Sequence, residues 1–190
     1  SKEYKVILDP YQPDSVPGYR PLHEEAERVL CSHDHRDHSG TDCVTLGRGG
    51  EDPFTVTTLS TWHDDVQGAK RGPNTIHILD DGQCRAAHLG DLGCELTAEQ
   101  LDQLRGLDAL LIPVGGFYTI DARQAKALVD ELKPRVVIPM HYRGEGFGYD
   151  VIGPLSAFTD LCSNVVTYST PQLELTPQTS EQVAVLVPQN

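Results

Sequence analysis

Apolar and polar positions change period midway along this chain, and the change separates a strand-rich first half from a second half that alternates helix and strand. KVILDP (5–10) is a short apolar run closed by Asp-Pro, which predicts a strand entering a turn. Residues 10–21 are rich in Pro, Gly and polar side chains and read as loop. HEEAERVLCS (23–32) has a short helical start and an apolar, strand-like end. Residues 39–53 are Gly-rich and polar and read as a surface excursion; FTVTTLST (54–61) then alternates β-branched and polar residues as a strand does. In NTIHILDDGQCRAAHLGD (74–91), Asp80-Asp81-Gly82 predicts the turn of a hairpin between TIHIL and CRAAHL.

From Thr97 the period lengthens. TAEQ matches a capping box, with Gln100 three residues after Thr97, and Leu101 and Leu104 share one face of the helix it opens. DALLIP (108–113) follows as a buried strand. Asp121 caps a second helix in which Ala122, Ala125, Leu128, Val129 and Leu132 form one stripe, ended by Pro134 before the strand RVVIPM (135–140). Residues 154–162 predict a third short helix, and VVTYST (165–170) and EQVAVLVP (181–188) two closing strands. The sum is a layered α/β domain, a single one over 1–190, since 190 residues form one ample core.

Charge narrows the partners. Fifteen basic against 28 acidic residues give a formal net charge of −13, which repels phosphate backbones and argues against nucleic acid. Five scattered cysteines, none in a CxxC spacing, predict reduced thiols rather than a disulfide framework or a cysteine-based zinc knuckle. No apolar run approaches the roughly 18–20 residues that cross a bilayer, and the polar start SKEYK lacks a signal-peptide core. The expectation is a cytoplasmic protein with a small-molecule substrate and no membrane partner; homo-oligomer formation stays open.

The chemistry gathers where predicted strands end. CSHDHRDHSG (31–40) packs three histidines and two aspartates into six positions, a crowding that loses hydration without return unless a cation binds. His33 and His35, two apart in an extended loop, project to the same side and clamp one ion; Asp37 and His38 follow the bend toward a second. His63 completes the first site and His141 the second, leaving Asp91 to bridge, an N/O donor set suited to zinc first and to manganese or iron as alternatives. A lone HxH pair is usually a solvated loop and a strand-end histidine usually structural; the combination outweighs each of these readings. His23 and His77 read as structural, and His88, three residues before Asp91 on one strand, faces away from it and supports rather than ligates.

These residues resemble the metallo-β-lactamase fold superfamily, whose HxHxDH signature stands here as His33, His35, Asp37 and His38. The series WHDD, RGPNTIHIL, HLGDLG, PVGGFYTID and VVIPMHY is most similar to the metal-dependent hydrolases that include L-ascorbate-6-phosphate lactonase. The resemblance implies a four-layer αββα sandwich with a dinuclear site at one edge: His33, His35 and His63 on one ion, Asp37, His38 and His141 on the other, Asp91 between. Flavodiiron oxidoreductases carry Glu where His35 stands, and the best-known β-lactamases use a cysteine that Cys94 is not placed to supply; hydrolysis, but not of antibiotics, is implied. Relatives usually carry a further strand with a Gly-His-Ser type motif ahead of KVILDP; either the sandwich lacks this first strand or, as is favoured, the sequence is trimmed from a longer chain.

Two cations about 3.5–4 Å apart share a water and lower its pKa from 15.7 toward roughly 7. The expected function is therefore hydrolysis of a small ester-like or lactone substrate by a hydroxide bridging two divalent metal ions, with Asp37 or Asp91 orienting it and taking its proton. A phosphodiesterase resembling phospholipase D, and a non-catalytic metal-binding protein that retains the fold, are the alternatives. Tyr118 and Thr119 in GGFYT, and Arg143 just past His141, are candidate substrate contacts.

Overall fold

The computed structural model describes residues 3–188. Its centre is a seven-stranded mixed sheet built from β5 (Thr55–Trp62), β6 (Pro73–Asp80), β7 (Arg85–His88), β8 (Ala109–Pro113), β9 (Val136–Met140), β10 (Val165–Thr167) and β11 (Gln182–Val185), in the order β10-β11-β9-β8-β7-β6-β5. The expected hairpin is present: β6 pairs antiparallel with β7 in a register that sets Asp80 opposite Arg85. Asp81 makes its turn by accepting the N–H groups of Gln83 and Cys84 at 2.9 and 2.8 Å. β5 is also antiparallel to β6, whereas β7, β8, β9, β11 and β10 run parallel to one another. The C-terminal ends of β5, β7, β8 and β9 consequently lie along one edge of the sheet.

Three helices, α1 (Ala98–Gln103), α2 (Ala122–Leu132) and α3 (Ser156–Thr159), contribute to the packing on one face. Both predicted caps form. Thr97 Oγ1 accepts the Gln100 N–H at 3.2 Å while Gln100 Oε1 accepts that of Thr97 at 2.9 Å, and Asp121 and Gln124 repeat the arrangement. Leu104, Ala125, Leu132 and Phe158 are buried with Leu110 and Ile112 of β8 and Val137 of β9 in the main core, while Ala109, Val136 and Ala184 belong to a smaller cluster. Alternation along β8 and β9 thus feeds two faces, as a sheet covered on both sides requires.

The first half departs from expectation in one place. Residues 23–30 contain no helical start: β2 (Glu24–Ala26) pairs in parallel with β4 (Val44–Leu46), and β3 (Arg28–Leu30) with β1 (Val6–Leu8). Glu and Ala are good helix formers, but pairing with distant strands overrides a preference worth only tenths of a kcal/mol per residue. The excursion at 39–53 supplies β4 after a single turn of 3-10 helix at Thr41–Cys43. These short pairs are tied to the large sheet through β6: the Thr75 N–H donates to the Ser32 carbonyl at 2.8 Å, and His77 Nε2 lies 3.0 Å from the Cys31 carbonyl. His77 is thus a structural tie, and His23 is exposed. All five cysteines are free thiols, and among the described residues no helix is long and apolar enough to cross a membrane.

Candidate metal centre

Each side chain of the histidine cluster is delivered by the end of a strand. His63 follows β5, Asp91 lies three residues past β7, His141 follows β9, and the loop after β3 carries His33, His35, Asp37 and His38. Asp91 is the centre: its Oδ2 lies 3.1 Å from His63 Nε2, 3.3 Å from His38 Nε2, 3.4 Å from His141 Nε2 and 3.9 Å from His33 Nε2. His35 stands on the same side, its ring centroid 4.6 Å from that of His33 and 5.1 Å from that of His63. Three groups of three have donor atoms close enough to share one ion: His33, His35, His63; His38, Asp91, His141; and Asp9, His33, His38. Asp37 is outside all three groups, with its Oδ2 3.6 Å from His38 Nε2 and 3.4 Å from the Tyr149 hydroxyl.

The donor chemistry fits a divalent metal. His33 Nε2 and Asp91 Oδ1 are buried without a hydrogen-bond partner, and an unsatisfied buried polar atom costs about 1–3 kcal/mol. A cation among the imidazoles and the carboxylate offsets that cost, and such nitrogen and oxygen donors suit zinc, iron or manganese.

The cluster is also electrostatically divided. Burial, joined by the charge of His38, pushes His33 down to about 4. For His38 burial acts in the same direction, but the Asp91 carboxylate and the Asp9 hydrogen bond outweigh it and hold the ring at about 10. Asp91 would be raised by burial; His141 and His38 instead hold it well below the usual carboxylate range.

A second set of residues, of which the sequence singles out only His88 for a supporting role, fixes these donors. Asp9, at the end of β1, accepts the Ser32 N–H and hydroxyl, each at 2.6 Å, and lies 2.9 Å from His38 Nδ1, so the other ring nitrogen faces Asp91. Asn74 is buried on β6. Its Nδ2 donates to Thr61 Oγ1 at 2.8 Å and to the Leu89 carbonyl at 3.0 Å, and its Oδ1 accepts the Asp91 N–H at 3.0 Å. Gly90, at φ +55°, lets the loop pass: a Cβ there would stand 2.4 Å from Ser32 Cβ and 2.5 Å from Asn74 Oδ1. His88 supports the same bend, its Nδ1 lying 3.2 Å from the Gly90 N–H. Gly115 is the other tight point, where a Cβ would lie 2.2 Å from the carbonyl oxygen of His141, itself held at φ +53°.

Asp64, the residue after His63, winds residues 64–71 around its carboxylate. Oδ1 accepts the N–H groups of Val66 and Gly68 at 2.9 and 2.8 Å, and Oδ2 those of Lys70 and Arg71 at 2.9 and 2.7 Å. Desolvation would raise this carboxyl, but the four backbone donors prevail and hold it at about 2.

Two cavities flank the cluster. The smaller, about 240 Å³, is lined by His35, Asp37, His63, Arg71, Asp91, Tyr118, His141 and Tyr149. The larger, about 340 Å³, has a largely apolar and aromatic wall including Tyr11, Tyr19, Phe147 and Tyr149. Tyr118, a candidate contact from the sequence, lines the smaller cavity, and its carbonyl lies 3.0 Å from His63 Nδ1. Thr119 turns its hydroxyl onto the Ile120 carbonyl at 3.0 Å and lines neither cavity. Arg143 is exposed, lines neither, and spends its Nε on the Ile152 carbonyl at 2.8 Å. Of the residues sequence reasoning passed over, Asp9 and Asn74 carried the same signal as the ligand candidates, a polar side chain at the end of an apolar strand; Tyr149 carried none.

Comparison with known proteins agrees with this geometry. Residues 1–141 match the family model described as a β-lactamase superfamily domain. A UPF0173 metal-dependent hydrolase of Pyrobaculum neutrophilum is 26% identical over 166 residues, covering 71% of each chain. One of Archaeoglobus fulgidus is also 26% identical, over 176 residues that cover 73% of this chain and 76% of that protein. Among solved structures, a protein of Thermotoga maritima described as a Zn-dependent hydrolase of the metallo-β-lactamase superfamily superimposes with a TM-score of 0.71 and 27% identity, over 98% of this chain and 91% of that one. A metal-dependent hydrolase of Parabacteroides distasonis, at 16% identity and a TM-score of 0.57, shares the fold. With the family model matched over the larger part of its length and the sheet, strand-end histidines and central aspartate in place, the chain belongs to the β-lactamase superfamily, as a protein of the metallo-β-lactamase fold akin to the UPF0173 metal-dependent hydrolases.

Proposed function

We propose that this protein is a dinuclear metal-dependent hydrolase that opens a small ester-like or lactone substrate. The observation that carries the reading is the position of Asp91 Oδ2, within 3.9 Å of imidazole nitrogens of His33 and His63 on one side and of His38 and His141 on the other. His33, His35 and His63 would hold one ion and His38 and His141 the other, joined by Asp37, with Asp91 shared. Bound there, a pair of divalent ions, zinc before manganese or iron, supplies a polarising charge and a water of lowered pKa.

The protein's own groups do the rest. Asp37 lies at the junction of the two cavities, where its Oδ2 accepts the proton given up by the attacking water. Tyr149, whose hydroxyl sits between the Ser15 carbonyl and Asp37 Oδ2, keeps that carboxylate turned toward the cluster. Burial and the nearby Asp37 charge push the Tyr149 phenol up to about 12, so it acts as a neutral hydrogen-bonding group at working pH. The motif likeness to L-ascorbate-6-phosphate lactonase keeps a lactone among the substrates proposed.

The test joins metal analysis to turnover. Protein stripped with a chelator and reloaded with zero, one or two equivalents of zinc or manganese is assayed against γ-lactone, carboxylic ester and phosphodiester probes. Activity on the lactone or ester that rises to a maximum at two equivalents is expected. Tight binding of two equivalents with no turnover of any probe would make this a metal-binding protein without hydrolytic function, and activity confined to the phosphodiester would move the substrate class.

A further inference from the structure

We infer that Arg71 is the specificity-determining residue of the smaller cavity and that the substrate carries an anionic group, a carboxylate or phosphate, beside the bond that is cut; the inference rests on the hydrolytic reading above. Among the described residues lining the two cavities, Arg71 is the one arginine or lysine. The rest of the smaller cavity consists of histidines, two tyrosines, Asp37 and Asp91. In a chain of net charge −13 an arginine facing such a cavity has carboxylates at hand, yet its guanidinium makes no hydrogen bond or ion pair among the described residues.

What the guanidinium does have is a platform. It lies over the Tyr118 ring, 5.3 Å from the centroid. A cation–π contact uses none of the guanidinium N–H groups as hydrogen-bond donors, so they remain available to bind a carboxylate or phosphate, for which the planar fork is suited. Both partners of the stack are positioned from the cluster itself. The Arg71 N–H is held by Asp64, next in sequence to His63, and the Tyr118 carbonyl lies against the His63 ring. An anion on Arg71 therefore sits at a set place relative to the reacting centre, which is how binding away from the scissile bond contributes to orientation.

Arg143, the cation favoured from the sequence, is occupied at the Ile152 carbonyl, and Lys70 pairs with Asp65. Of the arginine and lysine side chains near the cavity, this leaves Arg71 to read the substrate.

The experiment uses zinc-loaded protein and three p-nitrophenyl esters of similar length that end in a methyl, a carboxylate or a phosphate group. Wild type is expected to prefer one of the anionic esters by about 10-fold in kcat/KM, and the preferred terminus identifies the anion. Arg71→Gln should lose roughly 10- to 100-fold on that ester beyond any change on the methyl ester, the size of a charge-assisted hydrogen-bonded pair, and Arg71→Lys should recover part of it. Equal losses on all three esters, or no anionic preference in wild type, overturns the inference. Calorimetric titration with inorganic phosphate and with butyrate gives a second readout. A roughly 10-fold weaker binding of one of them to Arg71→Gln supports the assignment, and equal affinities of both proteins for both anions refute it. Should wild type cleave neither these esters nor the lactone probe, the hydrolytic reading fails, while the titration still decides whether Arg71 binds an anion.

Discussion

Asn74 offers the sharpest test of how the fold holds its central carboxylate. Replacing it by alanine removes three hydrogen bonds at once, to Thr61 Oγ1, to the Leu89 carbonyl and from the Asp91 N–H, all in a buried setting. Two main-chain groups, the Leu89 carbonyl and the Asp91 N–H, then lose this partner. At about 1–3 kcal/mol for each buried group left unsatisfied, Asn74→Ala should destabilise the protein by about 2–6 kcal/mol. A water entering the vacated space would recover part of this, which sets the lower end. The loss is a large share of the roughly 5–15 kcal/mol that holds an ordinary domain together. Because the peptide that carries Asp91 is released, metal affinity should also fall, by roughly 10- to 100-fold as for other residues that orient ligands. Urea denaturation of chelator-treated protein gives the first quantity, and competition with a chromophoric zinc chelator the second. A stability change under about 0.5 kcal/mol together with unchanged zinc affinity would refute the view that Asn74 positions the central aspartate.

Three further outcomes are expected. Asp9→Asn replaces the carboxylate that lies 2.9 Å from His38 Nδ1, and should weaken zinc binding by roughly 10- to 100-fold while circular dichroism stays native; unchanged affinity would show that His38 is oriented by something else. Metal-free protein should be most stable near pH 6.5, measured as the urea midpoint. Below that pH the unfolded chain takes up a proton that His33, held at about 4, refuses, and above it folded His38, held at about 10, keeps a proton that the unfolded chain gives up. A midpoint constant from pH 5 to 9 contradicts both shifts. Gly90→Ala meets a left-handed backbone and a crowded Cβ position, costs of about 1–2 and about 1–3 kcal/mol, so its urea midpoint should fall clearly; a midpoint equal to wild type would mean the loop has room.

The sequence was most informative where local chemistry and tertiary structure ask for the same thing. The capping box at Thr97, the cap at Asp121 and the turn at Asp81 are such cases, each set by side chains within a few residues of one another. The strand-end histidines and Asp91 were legible for a related reason, since buried polar groups at the tips of apolar strands need a common partner. Glu24–Ala26 was not, because its strand state depends on pairing with residues 20 positions away in β4. Tyr149 and Arg71 lay beyond residue-type reasoning for another cause: what matters in each is where a loop turns. For Arg71 that is decided by four N–H groups converging on Asp64, and for Tyr149 by the Ser15 carbonyl across the cavity.

The close approach of Gly115 to His141 couples two neighbouring strand ends into one mechanical unit. β8 and β9 are in register through Pro113 and Met140, so the turn after one strand and the imidazole after the other have no independent freedom. Variation that reshapes the 115–120 loop must therefore leave residue 115 without a side chain or drag a nitrogen donor out of the cluster. Loop remodelling, in evolution or in the laboratory, has its open ground at the exposed residue 117, between Gly115 and the Tyr118 carbonyl that lies against His63.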